Sequence, residues 1–519
     1  MVEALPGYVR PACFIGRHLL DVVTAGMYND PLMLYREYIQ NSVDALDAAY
    51  VAGLLQPAQG RIALTISGKD RSVTIEDNGV GVPPQHVESS LISIGSSTKD
   101  GDSARGFRGI GRLGGLAYCD LLRFETRAAE SESVSVVEWD GSALRRMNAS
   151  ERLRLDKAVK AITAIRSRPG EDNESPHFFR VRLHNVRQFH TDALLNIRAV
   201  REYLSQVAPV PYNEKAFSHA SRLHNYFAQL SGYGCYVVSL NGEGILRPYA
   251  DEIRLRAHCS ECIKGVSLFD LRDSAGGNLG LGWYGITDLI AGIPATTSVR
   301  GIRLRQGNIQ IGDERIFEGA FSEPRFAMWH VGEIHIANGA IRPNARRDSL
   351  EHSPDHEQLL AQVNILGRHL SALCRQASLG RSKEVRTQRL LTAANDVANM
   401  GLFIDSAHRE QTTKTMLAAL RRANNGMDVR KAAKLKAAEA QLLALQASGL
   451  TLENALDRRS VSQKRPETIL LAICATILSK FDASDSAASL IAEVCAPYLT
   501  PRSRARLGVH CSMKRGDQR

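Results

Sequence analysis

The sequence predicts an α+β fold in which two sheet-containing domains are followed by helices. A long helical pattern runs directly into a hairpin of two short strands, and a second group of strand-like runs lies between residues 230 and 345. Helix-forming residues dominate after residue 355. We therefore expect domains at 1–205, 206–352 and 353–519, in line with the roughly three domains that a chain of this length accommodates.

The first domain is predicted to be a sandwich of helices against one sheet. Within residues 17–55, apolar side chains such as Leu34, Tyr38 and Leu46 recur at helical intervals. The strand-like runs that follow are 61–67, 72–76, 121–126, 133–138 and 178–183. This pattern indicates a helix packed on a sheet that begins with a β-hairpin.

The second domain is predicted from alternating strands and turns. Its strand-like runs are Cys235–Leu240, Gly301–Gln306, Ile309–Ile311 and His330–Ile336. Beyond Asp355 such runs become rare, and segments such as 429–447 are rich in helix formers. The last part of the chain is therefore expected to be helical and to serve in dimerisation or partner binding.

The composition predicts a cytoplasmic protein without a membrane segment. The nine cysteines are scattered and do not form the closely spaced framework of a secreted disulfide scaffold. The first residues lack the basic start and apolar core of a signal peptide, and the apolar run near 469–478 is too short to cross a bilayer. The 65 Lys and Arg against 55 Asp and Glu give a net charge of +10, which favours contact with polyanions such as nucleic acid.

Three polar residues recur on one face of the first predicted helix. Offsets of four and three residues place Glu37, Asn41 and Asp44 on that face. The amide oxygen of Asn41 can ligate Mg²⁺ without adding charge beside phosphates, and the carboxylate of Glu37 can polarise an attacking water. Taken alone, the segment is equally typical of a solvated polar stripe.

Two glycine-rich motifs follow this helix. Asp77-Asn-Gly79-Val-Gly81 ends the second strand, where a carboxylate can accept a hydrogen bond from an adenine amino group and glycines let the backbone approach the base. The same residues are also common in ordinary turns. Residues 95–115 form a longer glycine-rich stretch without the P-loop pattern, and it leads into a predicted helix whose backbone amides can hold phosphates.

The order and spacing of these three elements resemble the GHKL superfamily, which includes DNA gyrase B, ninety-kilodalton heat shock chaperones, histidine kinases and mismatch-repair ATPases. The segment Glu37–Asp47 and the turn Ile110–Gly114 are most similar to the chaperones, and the step Gly106–Gly109 is similar to mismatch-repair ATPases. The resemblance covers residues 15–350. It implies a Bergerat-fold sandwich, a middle domain with a ribosomal-protein-like fold, and ATP and Mg²⁺ as cofactors.

The resemblance also implies a role for individual residues of this chain. Glu37 would activate the attacking water, and Asn41 would hold the metal ion. The residues expected to contact the nucleotide are Asn41, Asp44, Ala45, Asp77, Gly79, Gly81, Thr98, Lys99, Gly109, Gly111 and Gly114.

A second resemblance concerns an arginine in the middle domain. The stretch Val331–Asp348 is similar to a chaperone segment that ends in an Asn-x-Ser-Arg-Glu pattern, and the matching arginine is Arg347. In that family the arginine reaches the terminal phosphate and stabilises charge there. We therefore expect Arg347 to be catalytic, with Arg346 as the neighbouring candidate. Without the resemblance, two adjacent arginines are typical of a solvated surface.

Three positions depart from the chaperone pattern. Ala48 replaces a lysine, Leu116 stands where a last glycine is usual, and Pro176-His-Phe-Phe179 occupies the place of a Gly-Thr pair before the last strand. The first two changes affect the expected phosphate contacts, and the third affects the adenine contact.

Together these features predict an ATP-hydrolysing machine similar to the heat shock chaperones. The segment 95–109 would close over ATP as a lid, and Arg347 would couple hydrolysis to domain movement. The resemblance implies a homodimer that acts on a client protein. The alternative is a nucleic-acid clamp similar to microrchidia or mismatch-repair ATPases, acting in DNA maintenance or defence, which the net charge and the basic stretch after residue 500 favour. A nucleotide-gated scaffold with little turnover is a third hypothesis.

Overall fold

The computed structural model describes most of the chain before residue 452. The described residues are 20, 30–94, 111–147, 154–172, 174–188, 191–344, 346–400, 402–403, 406–424, 429–448 and 450–451. Contacts divide the chain into two units, Met1–Ser378 and Leu379–Arg519. The first unit contains both large sheets, and the described part of the second consists mainly of helices.

The first sheet has eight strands and one long helix against it. The elements in chain order are α1 (Met33–Val51), β1 (Arg61–Ser67), β2 (Ser72–Asp77), α2 (Val87–Leu91), β3 (Leu121–Arg127), β4 (Ser133–Asp140), α3 (Gly141–Arg146), α4 (Leu155–Ile162), β5 (Thr163–Pro169), β6 (Phe178–His184), α5 (Ile197–Val207), α6 (Ala220–Phe227), β7 (Val237–Leu240) and β8 (Glu243–Gly244). The strand order is β5-β4-β3-β6-β2-β1-β7-β8. All neighbouring strands are antiparallel except β1 and β7, which are parallel.

The predicted α+β class is confirmed, and the predicted hairpin forms between β1 and β2. The sequence pattern missed β5, an edge strand whose side chains are mostly exposed and therefore show no apolar alternation. It recognised a strand near Val237–Leu240 and assigned it to the second domain. In the structure this strand pairs with β1, so the first sheet extends past residue 205.

Helix α1 packs on the sheet through an apolar stripe. Leu34, Tyr38, Val43 and Leu46 are buried in one core with the inward-facing residues of the strands, among them Ile62. They are four, five and three residues apart and form the broad buried side of the helix, whereas inward residues recur at every second position of a strand. The polar residues of the site lie on the less buried side of the same helix.

The second sheet has five strands and follows a separate two-stranded hairpin. The strands are β9 (Glu252–Arg256), β10 (Cys259–Cys262), β11 (Gly265–Arg272), β12 (Asn278–Ile286), β13 (Gly301–Gln306), β14 (Ile309–Ile311) and β15 (Val331–Ile336). The order in the sheet is β11-β12-β15-β13-β14, with β13 and β15 parallel. Every residue of β15 is buried, because this strand is central in the sheet.

Helices make up nearly all of the remaining described chain. They are α7 (Pro354–Met400), α8 (Ser406–Asn424) and α9 (Val429–Ser448), and they are accompanied by two short strands, β16 (Leu402–Phe403) and β17 (Leu450–Thr451). The first part of α7 packs against the second sheet through Leu359, Val363 and Leu370. In the second unit, α8 and α9 pack through Leu417 and Leu442. None of the described helices combines the length and the apolar character that crossing a bilayer requires.

Candidate functional site

One face of α1 remains partly accessible, although most of the apolar residues of the helix are buried. Glu37, Asn41, Asp44 and Ala45 are half-buried, and Asp44 and Ala45 follow Asn41 by three and four residues. Their neighbours on the other side, such as Val43, are buried in the core. Because residues at these offsets lie on the same helix face, the structure places the predicted polar residues side by side as the spacing requires.

The turn after β2 lies directly against this face. The Val80 amide donates a hydrogen bond to the Ala45 carbonyl at 3.2 Å. A Cβ on Gly79 would lie only 2.6 Å from the Ala45 Cβ, so glycine is required for this approach. The Asp77 carboxylate is 1% exposed, and its Oδ1 accepts a hydrogen bond from the Gly79 amide at 3.0 Å. The predicted residues Ala45, Asp77 and Gly79 therefore meet where the turn after β2 contacts α1, and we call this contact the pocket wall.

Gly81 continues the same turn in a conformation that favours glycine. Its φ is +66°, and a Cβ there would lie 2.0 Å from the Arg127 carbonyl oxygen. The next residue, Val82, donates its amide to Oγ1 of Thr126 at 2.8 Å, and Thr126 in turn donates to the Phe178 carbonyl at 3.0 Å. The turn is thus held on β3 and β6 as well as on α1.

Two buried polar residues of this wall, His177 and Thr126, were absent from the predicted site. Nδ1 of His177 lies 2.8 Å from the Gly79 carbonyl oxygen. His177 belongs to the stretch that replaces the chaperones' Gly-Thr pair, so the departure itself was the signal for a different contact. Thr126 sits inside a regular strand, where a single threonine carries no signal of function.

The glycine-rich stretch is described only from Gly111 onward. Gly111 and Gly114 lie on a short 3-10 helix, Gly111–Ala117, whose Arg112 carbonyl accepts a hydrogen bond from the Tyr38 hydroxyl at 2.9 Å. This contact ties the segment to α1. Thr98, Lys99 and Gly109 lie outside the described residues, and their phosphate contacts stay predictions. Leu116, which stands in place of a glycine, is fully buried in the core.

Comparison with known proteins identifies the domain that contains this pocket. Residues 34–168 match the family model described as "Histidine kinase-, DNA gyrase B-, and HSP90-like ATPase". This stretch is a GHKL domain. The resemblance predicted from its motifs is confirmed, including the similarity to Hsp90-like members.

Curated relatives of the GHKL domain are bacterial proteins named chaperone protein HtpG. The protein from Acinetobacter baylyi is 30% identical over 139 residues, which cover 23% of this chain and 22% of the relative. The protein from Verminephrobacter eiseniae is 32% identical over 139 residues, covering 23% of this chain and 21% of the relative. The protein from Polaromonas naphthalenivorans is 28% identical over 166 residues, or 28% of this chain and 26% of the relative. The matched stretches thus span only about a fifth to a quarter of these chaperones.

An arginine from outside the GHKL domain reaches the same helix face. Nε of Arg347 lies 4.0 Å from Oε1 of Glu37, and the Arg347 side chain is 9% exposed. Its backbone has a left-handed φ of +54°, and its carbonyl accepts a hydrogen bond from the Gly312 amide at 2.9 Å. Arg346, the other candidate, is exposed. The two adjacent arginines therefore differ in burial: Arg347, which the resemblance selected, is buried beside Glu37, and Arg346 is exposed.

Arg36 is a third residue that sequence reasoning missed. Its guanidinium donates hydrogen bonds to the carbonyl oxygens of Arg347, at 3.2 Å, and Arg346, at 2.7 Å. The side chain is 2% exposed, and Nη2 is 3.7 Å from Oε1 of Glu37. The available signal was an arginine on the buried side of an amphipathic helix, where a charged residue needs buried partners.

Oε1 of Glu37 is buried and accepts no hydrogen bond from the residues that the structure describes. It lies near two guanidinium groups, yet at distances that leave its lone pairs available. A carboxylate in this position can accept a hydrogen from a water molecule. For a metal ion, the described ranges contain no group of three His, Cys, Asp or Glu side chains. Mg²⁺ needs only one or two protein ligands when substrate phosphates supply others, so the amide oxygen of Asn41 fits this metal.

Proposed function

We propose that the chain binds ATP with Mg²⁺ in its GHKL domain and hydrolyses it to ADP and phosphate, as an Hsp90-like molecular machine. The observation that carries the proposal is the meeting of Glu37, on the accessible face of α1, with Arg347, in the segment after β15. A base and a cation side by side suit the attack of water on a terminal phosphate. The family match and the HtpG relatives support the same activity.

The pocket wall fits an adenine nucleotide. The Asp77 carboxylate would accept the hydrogen bond of the adenine amino group, and Gly79 and Gly81 would allow the base to approach the backbone. Asn41 would hold Mg²⁺ through its amide oxygen, with Asp44 on the same face. When bound, Mg²⁺ would neutralise phosphate charge. The predicted contacts from Thr98, Lys99, Gly109, Gly111 and Gly114 would complete the phosphate side.

In the proposed reaction, the water molecule lies beside Oε1 of Glu37, which takes up its proton as the water oxygen attacks the terminal phosphorus. The bond from that phosphorus to the bridging oxygen breaks, and ADP leaves with the bonding electrons. Arg347 stabilises the negative charge that develops on the phosphate oxygens. Arg36 holds the backbone of Arg346 and Arg347 in place through one hydrogen bond to each carbonyl. Each of these groups lies on α1 or on the segment after β15, so hydrolysis depends on the contact between the two sheets.

The mechanical cycle is the finer part of the proposal. We propose a lid formed by residues 95–109, a middle domain at 206–352 that supplies Arg347, and a helical region at 353–519 that mediates homodimerisation or partner binding. The chain would then act as a chaperone on client proteins in the cytoplasm. The HtpG names of the relatives support this role, although the alignments cover only their GHKL region.

Replacing Arg347 tests this arrangement. We expect Arg347→Ala to lower kcat for ATP hydrolysis roughly 10²- to 10³-fold, because the charge on the terminal phosphate loses a preorganised cation. The affinity for ATP should change little, since Asp77 and the glycine turn remain. Steady-state ATPase assays combined with calorimetric nucleotide binding measure the two effects separately.

Arg346→Ala is the matched comparison. Only the backbone carbonyl of Arg346 takes part in the contact with Arg36, and its side chain is exposed. We expect its kcat to stay within about twofold of the wild type, as for most exposed positions. Equal losses in both variants would contradict the proposed role of Arg347. A wild-type chain that binds ATP without turnover would instead support the nucleotide-gated scaffold.

A nucleic-acid clamp is the second candidate, and the distribution of charge favours it. The second unit, residues 379–519, contains 23 Lys and Arg against 13 Asp and Glu. The first unit, residues 1–378, contains 42 of each, so the second unit carries the whole net charge of +10. Positive charge concentrated in one part of a protein attracts a phosphate backbone.

Two assays separate the candidates. For the chaperone-like machine we expect ATP-dependent suppression of client aggregation, and weak DNA binding that is the same in the full chain and in a chain ending at residue 499. For the clamp, DNA affinity should fall steeply between about 50 and about 200 mM salt and should be lost on removal of residues 500–519. A polyanion competitor such as heparin controls for non-specific attraction.

A further inference from the structure

A single carboxylate is enclosed between the two sheets. Glu333 lies on the central strand β15, and its side chain is 0% exposed. The groups around its carboxylate are Arg247 (2.5 Å), Tyr212 (2.6 Å), Arg305 (2.7 Å), His335 (3.1 Å) and Tyr249 (3.2 Å). We call these six residues the Glu333 cluster. Every member is buried, so the cluster has no contact with bulk solvent.

The cluster stays charged despite its burial. Burial alone would raise the pKa of Glu333, but Arg247 and Arg305 outweigh this effect and hold that pKa well below its usual range. Burial lowers the pKa of His335 to about 4, which keeps its ring neutral at pH 7. A buried anion with two guanidinium partners is costly to break, because removal of one partner leaves an uncompensated charge.

Three members of the cluster belong to strands of the second sheet, and the other three lie outside the named strands. Arg247 follows β8, and residues between β8 and Arg247 remain tied to the first sheet through the bond from the Ile245 amide to the Val238 carbonyl. Arg305 belongs to β13 and donates to the Gln206 carbonyl, in the last turn of α5, at 2.5 Å. The guanidinium of Arg247 thus contacts Glu333 of the second sheet, and the guanidinium of Arg305 contacts the carbonyl of Gln206 in α5.

Asn308 adds a third link at the turn between β13 and β14. Its amide oxygen accepts a hydrogen bond from Arg247, and its amide nitrogen donates to the Gly234 carbonyl, just before β7, at 2.6 Å. Two residues after Gly234, the Tyr236 hydroxyl donates to the carboxylate of Asp47 on α1. A continuous set of hydrogen bonds therefore connects the second sheet with the helix that carries Glu37.

Strand β15 leads from the Glu333 cluster to the catalytic candidate. Residues 337–350, which we call the arginine loop, follow β15 and contain Arg347. The Arg347 carbonyl is held on one side by the Gly312 amide, after β14, and on the other side by Arg36 of α1. The arginine loop is thus fixed to the second sheet and to α1 at once.

We propose that Glu333 is a positioning residue that joins the second sheet to the GHKL domain, so that Arg347 is seated beside Glu37 before any nucleotide binds. A catalytic role for this position of Arg347 rests on the proposed ATPase function, but the position itself does not depend on that function. Under this proposal, Arg347 does not move into the site during the ATP cycle. Movement driven by the nucleotide is confined to other parts of the molecule.

Hydrogen–deuterium exchange of the full-length chain tests the proposal. The amides of Asn344, Arg347 and Asp348 donate to acceptors inside the arginine loop, so a seated loop protects them. We expect peptides spanning 341–350 to be protected in the nucleotide-free wild type and to change less than about twofold on addition of a non-hydrolysable ATP analogue. In Glu333→Gln we expect exchange about tenfold faster, since loss of the charge weakens both arginine contacts.

A milder variant covers the case in which Glu333→Gln does not fold. Tyr249→Phe removes one hydroxyl bond to Glu333 and keeps the ring against Trp283, so we expect exchange of the loop to rise roughly threefold. Glu323→Gln is the matched control, because it removes a carboxylate that pairs with Arg325 and Arg375 at the exposed surface of the same domain. We expect no change in the arginine loop of this control.

Kinetics distinguish positioning from a general loss of stability. We expect Glu333→Gln, assayed well below its melting temperature, to have a kcat about tenfold lower than the wild type and an unchanged KM for ATP. This decrease in kcat would match the faster hydrogen exchange of its arginine loop. A wild-type loop that exchanges freely and becomes protected only with the nucleotide analogue would overturn the proposal. Protection that is identical in wild type and Glu333→Gln would overturn the role of Glu333. Absence of ATP hydrolysis in the wild type would refute the proposed function. The exchange experiment would still decide whether Glu333 holds Arg347 beside Glu37.

Discussion

Glu37→Gln is expected to abolish ATP turnover and to leave ATP affinity close to that of the wild type. Glutamine has the same shape as glutamate but cannot take a proton from water at neutral pH. Oε1 of Glu37 is buried and accepts no hydrogen bond from the described residues, so the substitution breaks no hydrogen bond there. It does remove the negative charge that faces Arg36 at 3.7 Å and Arg347 at 4.0 Å. Loss of a general base lowers rates by roughly 10²- to 10⁴-fold. Single-turnover hydrolysis and calorimetric binding on the same sample measure turnover and affinity.

Glu88→Gln is the matched control for this experiment. Glu88 is an exposed glutamate on the short helix α2, and we expect its variant to hydrolyse ATP at the wild-type rate. A residual turnover in Glu37→Gln above about a tenth of the wild-type value would mean that another group activates the water. Loss of nucleotide binding in the same variant would mean that Glu37 contributes to affinity, which the proposed mechanism does not assign to it.

Asp77→Asn is expected to weaken ATP binding roughly 100-fold, because an amide nitrogen would face the adenine amino group where a carboxylate oxygen accepts its hydrogen bond now. The amide oxygen of asparagine can still accept from the Gly79 amide, which Asp77 binds at 3.0 Å, so the turn should keep its shape. We expect an unchanged melting temperature and a large loss of affinity for ATP in calorimetric titrations.

The preference for ATP over GTP provides a second measurement that tests the role of Asp77. Wild type should bind ATP more tightly than GTP, which has no amino group at the corresponding ring position, and Asp77→Asn should lose most of that difference. Asp70→Asn, in the exposed turn between β1 and β2, is the matched control and should bind ATP like the wild type. Wild-type affinity in Asp77→Asn would place the adenine elsewhere in the molecule.

Local periodicity was sufficient for the parts of the site that lie close together in sequence. Glu37, Asn41 and Asp44 share a helix face because of the helical repeat, and Asp77 ends a strand of a local hairpin, in which it pairs with Ile62, fifteen residues earlier. The glycines of the following turn were recognised from their chemistry, and the structure gives the reason for two of them: contact with Ala45 for Gly79, and a left-handed φ for Gly81.

The long-range contacts could not be predicted from the sequence patterns. The parallel pairing of β7 with β1 joins segments more than 150 residues apart, and a strand pattern carries no information about its partner. His177, Thr126 and Arg36 acquire their roles only from neighbours brought by other elements. The sequence carried a signal for His177, in the missing Gly-Thr pair, and for Arg36, on the buried side of a helix, but neither signal names the partner residue.

By itself, the sequence determined the α+β class, the helix face with Glu37 and the glycine turn after Asp77, because these depend on the repeat of the helix, the alternation of the strand and the absence of a side chain in glycine. Only the tertiary structure decided that Arg347 is buried beside Glu37 while Arg346 is exposed, and that Glu333 joins the two sheets. Burial and ion pairing are properties of the assembled sheets, since they arise from distances between residues that lie up to about 310 positions apart in the chain.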